Sequence, residues 1–521
     1  MMRKFAAILL LCVIPFSGIT AAQERIDEKV LAQIKTEGFQ NSQVMDTLGY
    51  LTDVFGPRLT NSQNLKNAKA WMRDKMSAFG FQNVQIEPWG SWGQSWNLER
   101  FSVEMTAPTY DRLNAYPLAW TSSTNGVIAG EPIVVSVRTS ADFEKYKGKL
   151  KGAIVMNGRV SFPTPESRKG DPIKRETDED LTKKASAIDP AKDPDGGGTV
   201  SYQEEEKDWL EGLERGKQIV KFFKDEGVAA LIQPSSRPNG VLAVQGSYFP
   251  DPAINPPTFV VAREQYARIM RLIDRKVPVK LELSLQTKSD PDGTGSNVVG
   301  EITGADPKLK DEVVLLGGHF DSWHSGTGAA DNAAGCVAVL EALRILKAIN
   351  AKPKRTIRVA MWDGEEQDYY GSIGYVKKHY GDPMTIKLKP EHEKLSAYYN
   401  LDNGSGRIRG IFLQGNEATR PIFEDYLKPF AYLGVTTISI LNTGGTDHMA
   451  FDAVGLPGFQ FIQDPLDYET RVHHTNLDVL EAINEEDMKI NAVIIAAIAY
   501  QTANRAEMMP RKPLPKPAQV N

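Results

Sequence analysis

Cysteine is nearly absent from this sequence: Cys12 and Cys336 are the only two in 521 residues. Cys12 lies in an N-terminal segment expected to be removed, so no intrachain disulfide can brace the mature chain. A chain of this length buries enough apolar surface to need none. Cys336 opens an apolar helical run and reads as a buried structural thiol. A strong charge of either sign is also missing. The net charge of −5 gives no reason to expect nucleic acid or a membrane surface as a partner. Long apolar runs are absent too. The one at residues 5–19 is short of the roughly 20 residues that a membrane span needs.

That short run has a meaning of its own. Arg3 and Lys4 precede it, and Thr20-Ala21-Ala22 follows it with small residues suited to cleavage. Residues 1–22 therefore read as a secretory signal peptide, and the mature protein as periplasmic or extracellular, with no membrane association after cleavage. Hydrophobic content of 41% and charged content of 24% are those of a soluble globular chain, and the length implies two domains. Oligomeric state is open, a homodimer included.

Apolar residues at three- and four-residue spacing predict helices at 44–54 and 64–79, separated by Gly56-Pro57-Arg58. Strand-like segments and Trp-rich loops follow from 84 to about 119. Short buried strands are expected at 153–156, 229–232, 258–261 and 279–285, with a helix at 211–226. The stretch 162–206 is dense in Lys, Asp, Glu, Pro and Gly and reads as a solvated insertion. From 297 onward, apolar runs at 313–316, 356–362, 395–400, 410–413 and 458–462 alternate with helical patterns at 332–349, 371–379, 418–430 and 490–504. Such alternation predicts an α/β fold, a mostly parallel mixed sheet with helices on both faces.

Five residues of this second half form a candidate two-metal site: His319, Asp331, Glu366, Asp402 and His474. Most follow directly on an apolar run, where open α/β sheets place their sites. Asp321 lies two residues past His319, where its carboxylate is placed to orient the imidazole. Asp331 taken alone is an ordinary helix N-cap; in this company it is a carboxylate able to bridge two cations. Glu365-Glu366 follows a buried run and a glycine. One member can ligate while its neighbour takes a proton from a metal-activated water, which makes Glu365 the candidate general base. A mixed N/O donor set suits zinc, and two Zn2+ ions per chain are expected.

At these residues the sequence resembles the di-zinc exopeptidases of metallopeptidase family 28. Gly318-His319-Phe320-Asp321-Ser322, Asp331-Asn332-Ala333-Ala334-Gly335, Glu365-Glu366 and His474-Thr475-Asn476-Leu477-Asp478 match its motifs, and Gly56-Pro57-Arg58-Leu59-Thr60 its N-terminal signature. The resemblance implies the zinc-dependent exopeptidase fold, one zinc on His319, Asp331 and Asp402, and the other on Asp331, Glu366 and His474. Gly318-His319-Phe320-Asp321-Ser322-Trp323 and Pro353-Lys354-Arg355-Thr356-Ile357-Arg358 lean toward the carboxypeptidase Q branch. Leu150-Lys151-Gly152-Ala153-Ile154-Val155 is similar to the opening of a protease-associated domain, a smaller β-rich insertion. The implied organisation is a catalytic domain at 23–120 and 290–510, the insertion at 121–289, and a tail at 511–521. Where many members carry a Tyr before the last ligand, this chain has His473, either a structural histidine or a donor of a hydrogen bond to an oxyanion. Thr446-Asp447-His448 resembles a segment near the substrate pocket, which leaves His448 either substrate-proximal or structural.

The leading expectation is a secreted or periplasmic metallo-exopeptidase acting on terminal bonds of short peptides or dipeptides. The alternatives are an aminoacyl cyclotransferase or amidohydrolase on the same fold, or an inactive binding relative. Such relatives are expected to lack a ligand or the base; this chain keeps all of them. Which end of the peptide is trimmed is not legible in the sequence.

Overall fold

The computed structural model of the chain describes residues 27–160, 173–192, 202–247 and 250–516. The expected signal peptide and parts of the 162–206 stretch lie outside the described residues.

An eight-stranded sheet organises the larger unit. Its spatial order is Gln82–Ser91, Thr294–Ile302, Thr356–Trp362, Val313–His319, Leu395–Asn400, Gly458–Gln463, Ile408–Phe412 and Thr437–Ser439. The central strands pair in parallel, and every residue of Val313–His319 and Leu395–Asn400 is buried. Parallel strands need both faces covered, and these runs are apolar for that reason. Alternate residues divide between two cores. Val314 and Leu316 pack with helices Ala334–Ala348 and Glu485–Asn504. Val313 and Leu315 pack with Tyr370–His379 and His448–Asp452 on the opposite face. The expected α/β sandwich is present. Antiparallel pairing is confined to the flanks: the two strands before Thr356–Trp362, and Ile408–Phe412 against Gly458–Gln463.

Register sets where the loops meet. His319 stands opposite Trp362, and Gly317 opposite Asn400. The carboxyl ends of three adjacent strands therefore finish level, and the loops after them converge.

One buried ion pair ties helix Gln63–Ala78 to this sheet. Lys69 Nζ lies 2.6 Å from Asp363 Oδ2, and both side chains are almost wholly buried. Ser296 N also donates to that oxygen at 3.0 Å. Removing one partner of such a pair strands the other charge, at a cost of about 3–5 kcal/mol. Lys69→Met should lower unfolding stability by that amount in denaturant titration. A loss under about 1 kcal/mol, the range of exposed pairs, would mean that Asp363 does not depend on the lysine.

A smaller unit has its own sheets and core. Asn97–Ala107, Lys280–Lys288, Asp111–Arg112 and Ile128–Gly130 form an antiparallel sheet. Ala115–Pro117, Thr258–Val261, Ala230–Pro234, Ile154–Asn157 and Pro132–Val135 form a second sheet, parallel except at Ala115–Pro117. Val103, Met105, Ile154, Ile232, Phe259 and Leu281 share one apolar cluster. Strand pairing thus draws the division earlier than residue 120, because 97–117 pair with 258–288.

Several elements depart from the sequence pattern. Helices Glu28–Gln40 and Arg263–Asp274 were not among those expected, and the helix expected at 211–226 begins at Tyr202. The charged stretch is not simply solvated where it is described. Asp178–Ala185 is a helix with Leu181 buried, and Ser439 Oγ donates to the Lys184 carbonyl at 2.7 Å. Arg175 lies 2.7 Å from both Asp464 and Asp487, two carboxylates buried in the larger unit. Buried carboxylates require cationic partners, and this strap supplies one.

Candidate metal centre

Each candidate residue is delivered by a strand end or by the turn that follows one. His319 is the last residue of Val313–His319, Glu365 and Glu366 follow Thr356–Trp362, and Asp402 follows Leu395–Asn400. Asp331 sits in the irregular turn Ala329–Ala333, with non-helical φ/ψ at Asp331 and Asn332. It caps nothing: the following helix has Ala333 at its N-cap and no side-chain cap bond. The N-cap alternative is thereby removed, and the carboxylate is free for other work. Asn332 fixes the turn by donating to the Leu401 carbonyl and accepting from Gly335 N, both at 2.9 Å. A Cβ at Gly335 would collide with that same carbonyl, so only glycine allows this approach.

These residues meet in one cluster. His319 Nε2 lies 3.2 Å from Asp331 Oδ1, 3.3 Å from Asp402 Oδ1 and 3.9 Å from Glu365 Oε2. His474 Nε2 lies 3.0 Å from Glu366 Oε2 and 3.4 Å from Asp331 Oδ2. Asp331 thus turns one oxygen to each imidazole. Potential ligand atoms of His319, Asp331 and Glu366 lie within 4.8 Å of one another, as do those of Asp331, His473 and His474. His473 Nε2 is 3.9 Å from Asp331 Oδ2, and its ring is tilted against that of His474 with the centroids 3.7 Å apart.

Asp321 acts differently from the expectation. The carboxylate is 3.7 Å from His319 Nδ1, while its backbone carbonyl stands at 3.0 Å and is the acceptor. The carboxylate instead accepts from the backbone N–H of Glu365 at 3.2 Å and of Glu366 at 3.3 Å, and from Thr60 Oγ1 at 2.9 Å. It holds the acidic pair in place. His448 is buried, its Nε2 2.8 Å from the Thr443 carbonyl, and burial takes its imidazole down to about 4. It joins no metal-compatible group among the described residues.

Three supporting residues were given no role from the sequence, although Arg58 and Asp478 lie in the motifs quoted above. Arg58 is fully buried and donates to the carbonyls of Phe320, Thr327 and Gly328, each at 2.8 Å, tying together the loops around His319 and Asp331. Asp478 accepts from Ala330 N at 2.6 Å, beside Asp331. Gln245 comes from the smaller unit, its Nε2 3.0 Å from His474 Nδ1. That contact belongs to a seam. Val244 N donates to the His474 carbonyl at 3.0 Å, and Leu242 N to Asn476 Oδ1 at 2.7 Å.

The electrostatics follow from crowding. Burial pushes Glu365 well above the usual carboxylate range; Asp402 and Asp447 add to this and His319 opposes it. Burial and Asp331 raise Glu366 against the pull of His474. Burial pushes the Asp447 carboxyl up to about 8. For the imidazoles, burial disfavours the cation, but neighbouring carboxylates win. Asp402 and Glu365 hold His319 well up, and Glu366 lifts His474 to about 9. Asp331 alone is held below its usual range: burial works against this, but the His319 hydrogen bond and the His474 charge prevail. Asp331 Oδ2, Glu366 Oε1 and Asp402 Oδ1 are buried and accept no hydrogen bond within the described structure. An unsatisfied buried polar group costs about 1–3 kcal/mol, and more when charged. Excess buried negative charge, idle oxygens and two imidazoles are what a divalent cation would satisfy, and the mixed N/O donors fit zinc-type ions.

A cavity of about 640 Å³ borders the cluster at Glu366 and is walled by Trp92, Trp120 and Trp323. Another, of about 500 Å³, lies away from the chemistry, and its Arg358 is already spent on Glu301 at 2.7 Å.

Residues 297–499 match the family model of Peptidase family M28, a span that includes every residue of the cluster. Carboxypeptidase Q of Rattus norvegicus is 26% identical over 486 residues, covering 93% of this chain and 90% of that protein. The crystal structure of a Peptidase M28 precursor from Shewanella amazonensis SB2B is similar with a TM-score of 0.66 at 24% identity, over 94% of this chain and 98% of that one. BSAP, a zinc aminopeptidase from Bacillus subtilis, has a TM-score of 0.54 at 18% identity, over 88% and 93%. The two solved structures speak for the fold.

Proposed function

The chain belongs to peptidase family M28 and is a metallopeptidase of the carboxypeptidase Q-like branch, and from that premise we propose an exported di-zinc exopeptidase that hydrolyses terminal bonds of short peptides. The observation that carries this reading is the Asp331 carboxylate set between His319 and His474, one oxygen toward each. In this reading His319, Asp331 and Asp402 hold one ion, and Asp331, Glu366 and His474 the other. When bound, the pair supplies the Lewis acidity that activates water and polarises the scissile carbonyl.

The chain's own residues do the rest. Glu365, raised by burial, takes up the proton of the attacking water and returns it to the leaving amine. Asp321 keeps Glu365 and Glu366 aligned through their backbone N–H groups. His473, half-buried beside Asp331, donates to the developing oxyanion. Gln245 and the Asp321 carbonyl fix which nitrogen of each liganding imidazole faces the metals. The smaller unit is the inserted protease-associated domain. Its seam with residues 474–476 brings it against the site, where it limits entry to small peptides. Export rests on the apolar N-terminal segment with its basic start and small-residue end. No helix among the described residues is long and apolar enough to cross a membrane.

Elemental analysis of the protein loaded with zinc should return two ions per chain. A chelator should abolish peptide hydrolysis and lower the thermal midpoint, because an ion bound only to the folded state stabilises it by about 4 kcal/mol at a thousandfold excess over Kd. Zinc should restore both. Undiminished turnover by metal-free protein would end the proposal. A peptide-library digest followed by mass spectrometry identifies the trimmed end.

A further inference from the structure

The loop that delivers His473 and His474 begins where strand Gly458–Gln463 ends. Two of its residues, neither of them glycine, hold left-handed backbone: Leu466 at φ 47° and His474 at φ 59°. Such a conformation costs free energy in any residue with a Cβ and persists where its surroundings over-determine it. Backbone hydrogen bonds inside the loop are local: Tyr468 N donates to the Pro465 carbonyl, Arg471 N to that of Asp467 and His473 N to that of Tyr468. Tyr468 and Val472 pack on Ala330, which seats the middle of the loop on the larger unit. The two left-handed residues are gripped from elsewhere. Lys174 N donates to the Leu466 carbonyl and Val244 N to the His474 carbonyl, each at 3.0 Å. Both donors belong to the chain of the smaller unit.

The grip on the start of the loop is charged. Residues 173–185 lie in sequence between strand Ile154–Asn157 and helix Tyr202–Asp225 of the smaller unit, yet they reach the edge strand Thr437–Ser439 of the eight-stranded sheet. There Arg175 Nη1 stands 2.7 Å from Asp464 Oδ2 and 2.7 Å from Asp487 Oδ2, joining the base of the loop to the first turn of helix Glu485–Asn504. Glu176 N donates to Asp464 Oδ1 at 2.9 Å. The end of the loop is held by a short antiparallel pairing. Leu242 N donates to Asn476 Oδ1 at 2.7 Å, Asn476 N returns a bond to the Leu242 carbonyl at 3.0 Å, and Ala243 pairs with Thr475. Gln245 extends this segment to His474 Nδ1 at 3.0 Å. An imidazole that ligates through Nε2 carries its proton on Nδ1, so the Gln245 amide meets it with its oxygen, a half-turn of the amide deciding which atom faces the ring. The other imidazole needs no such help. His319 ends a fully buried central strand, and its Nδ1 faces the Asp321 carbonyl of its own segment at 3.0 Å.

We propose that the smaller unit clamps the last-ligand loop at both ends, with Arg175 and Gln245 as positioning residues, so that affinity for the ion on Glu366 and His474 depends on this grip while the ion on His319 and Asp402 does not. The inference rests on the metallopeptidase reading of the cluster. It gives the smaller unit a part in building the metal centre, besides standing at its mouth. Coupling of this kind is reciprocal: an ion held better by the gripped loop also tightens the grip.

The test titrates the metal-free full chain with zinc against a chelating competitor, for wild type, Gln245→Leu, Gln245→Glu and Arg175→Met. These variants should fold. Gln245 is exposed, and without Arg175 the carboxylates of Asp464 and Asp487 keep Arg409 and Arg407, each at 3.0 Å. The partner of a liganding histidine contributes about 10- to 100-fold to metal affinity. Gln245→Leu should weaken one ion by about that factor and leave the other at its wild-type affinity. Arg175→Met, which acts through the loop, should weaken the same ion by less. Gln245→Glu, whose carboxylate still accepts from Nδ1, should restore the binding. Single-ion backgrounds identify the ion that responds: Gln245→Leu should weaken the ion left in His319→Ala and not the one left in His474→Ala. In wild-type protein, zinc loading should slow amide hydrogen exchange at 173–177 and 242–246. Wild-type affinity for both ions in either Gln245→Leu or Arg175→Met overturns the clamp and leaves the two-metal reading standing. Equal weakening of both ions would be a general loosening of the fold and overturns it too, as does exchange at these segments that zinc leaves unchanged. A wild-type chain that binds no zinc fails the metallopeptidase reading itself, and the clamp with it.

Discussion

Asp331→Ala should empty the centre of both metal ions. Its two oxygens lie 3.2 Å from His319 Nε2 and 3.4 Å from His474 Nε2, one toward each half of the donor set. Each half otherwise keeps only two of the proposed donors: His319 with Asp402, and Glu366 with His474. Catalytic zinc sites hold three protein ligands and leave one position open. Losing the shared ligand takes both halves below that number at once. His319→Ala breaks one half only, leaving Asp331, Glu366 and His474 together. The expected contrast is therefore near zero ions per chain for Asp331→Ala and about one for His319→Ala, read by elemental analysis after gel filtration. Turnover of a dipeptide by Asp331→Ala should be undetectable, and added zinc should not restore it. If Asp331→Ala retains both ions at wild-type occupancy, the bridging role is wrong. If it retains one tightly, the carboxylate serves a single ion.

His319, Glu365, Glu366 and Asp402 were legible because each stands at or just past a strand end, and strand ends have a sequence signature. An apolar run such as 313–316 locates the strand, and the parallel register then brings 319, 366 and 402 together without further instruction. Asp331 and His474 lie in irregular turns, and only their company and the family resemblance set them apart from a cap and a surface histidine. The supporting shell of the cluster was not legible. Gln245 reaches His474 across 229 positions of sequence, from a loop of the smaller unit. A glutamine in a loop carries no pattern that announces such a contact. Arg58 stands in the N-terminal signature, but nothing there names its partners, and Arg175 looks like an ordinary charged residue; those partners are carbonyls and carboxylates buried more than 260 positions away. Composition reads a charged stretch as solvated because it counts charges and not their partners. Helix Arg263–Asp274 is a different case. Its buried stripe, Tyr266, Ile269 and Met270, has the three- and four-residue spacing that marks a helix, but it sits in a segment where short strands dominate the pattern.

Asp321 separates what spacing can and cannot say. A carboxylate two residues past a histidine suggested a hydrogen bond to the imidazole. The chain turns so that the carbonyl takes that place, and the carboxylate receives the two N–H groups of Glu365 and Glu366. The base and a ligand thus share one anchor, which makes their different roles testable side by side. Glu365→Gln should lower kcat by about 10²–10⁴-fold, the range of general acid–base catalysis. Gln has nearly the same shape and keeps an acceptor, but it takes up no proton. Glu365 is crowded by Asp402 and Asp447, and replacing a charge that its neighbours repel should not loosen the fold. Metal content should remain at the wild-type value, because the variant keeps His319, Asp331, Glu366, Asp402 and His474. KM should move little, since the lost interaction belongs to the transition state and not to substrate binding. Glu366→Gln should do the opposite, losing metal first and turnover as a consequence. Measuring kcat, KM and bound metal on the same preparations distinguishes the two. Near wild-type turnover by Glu365→Gln with its metals in place would put the base elsewhere. Asp447, buried with its carboxyl pushed up to about 8, would then be the residue to replace next.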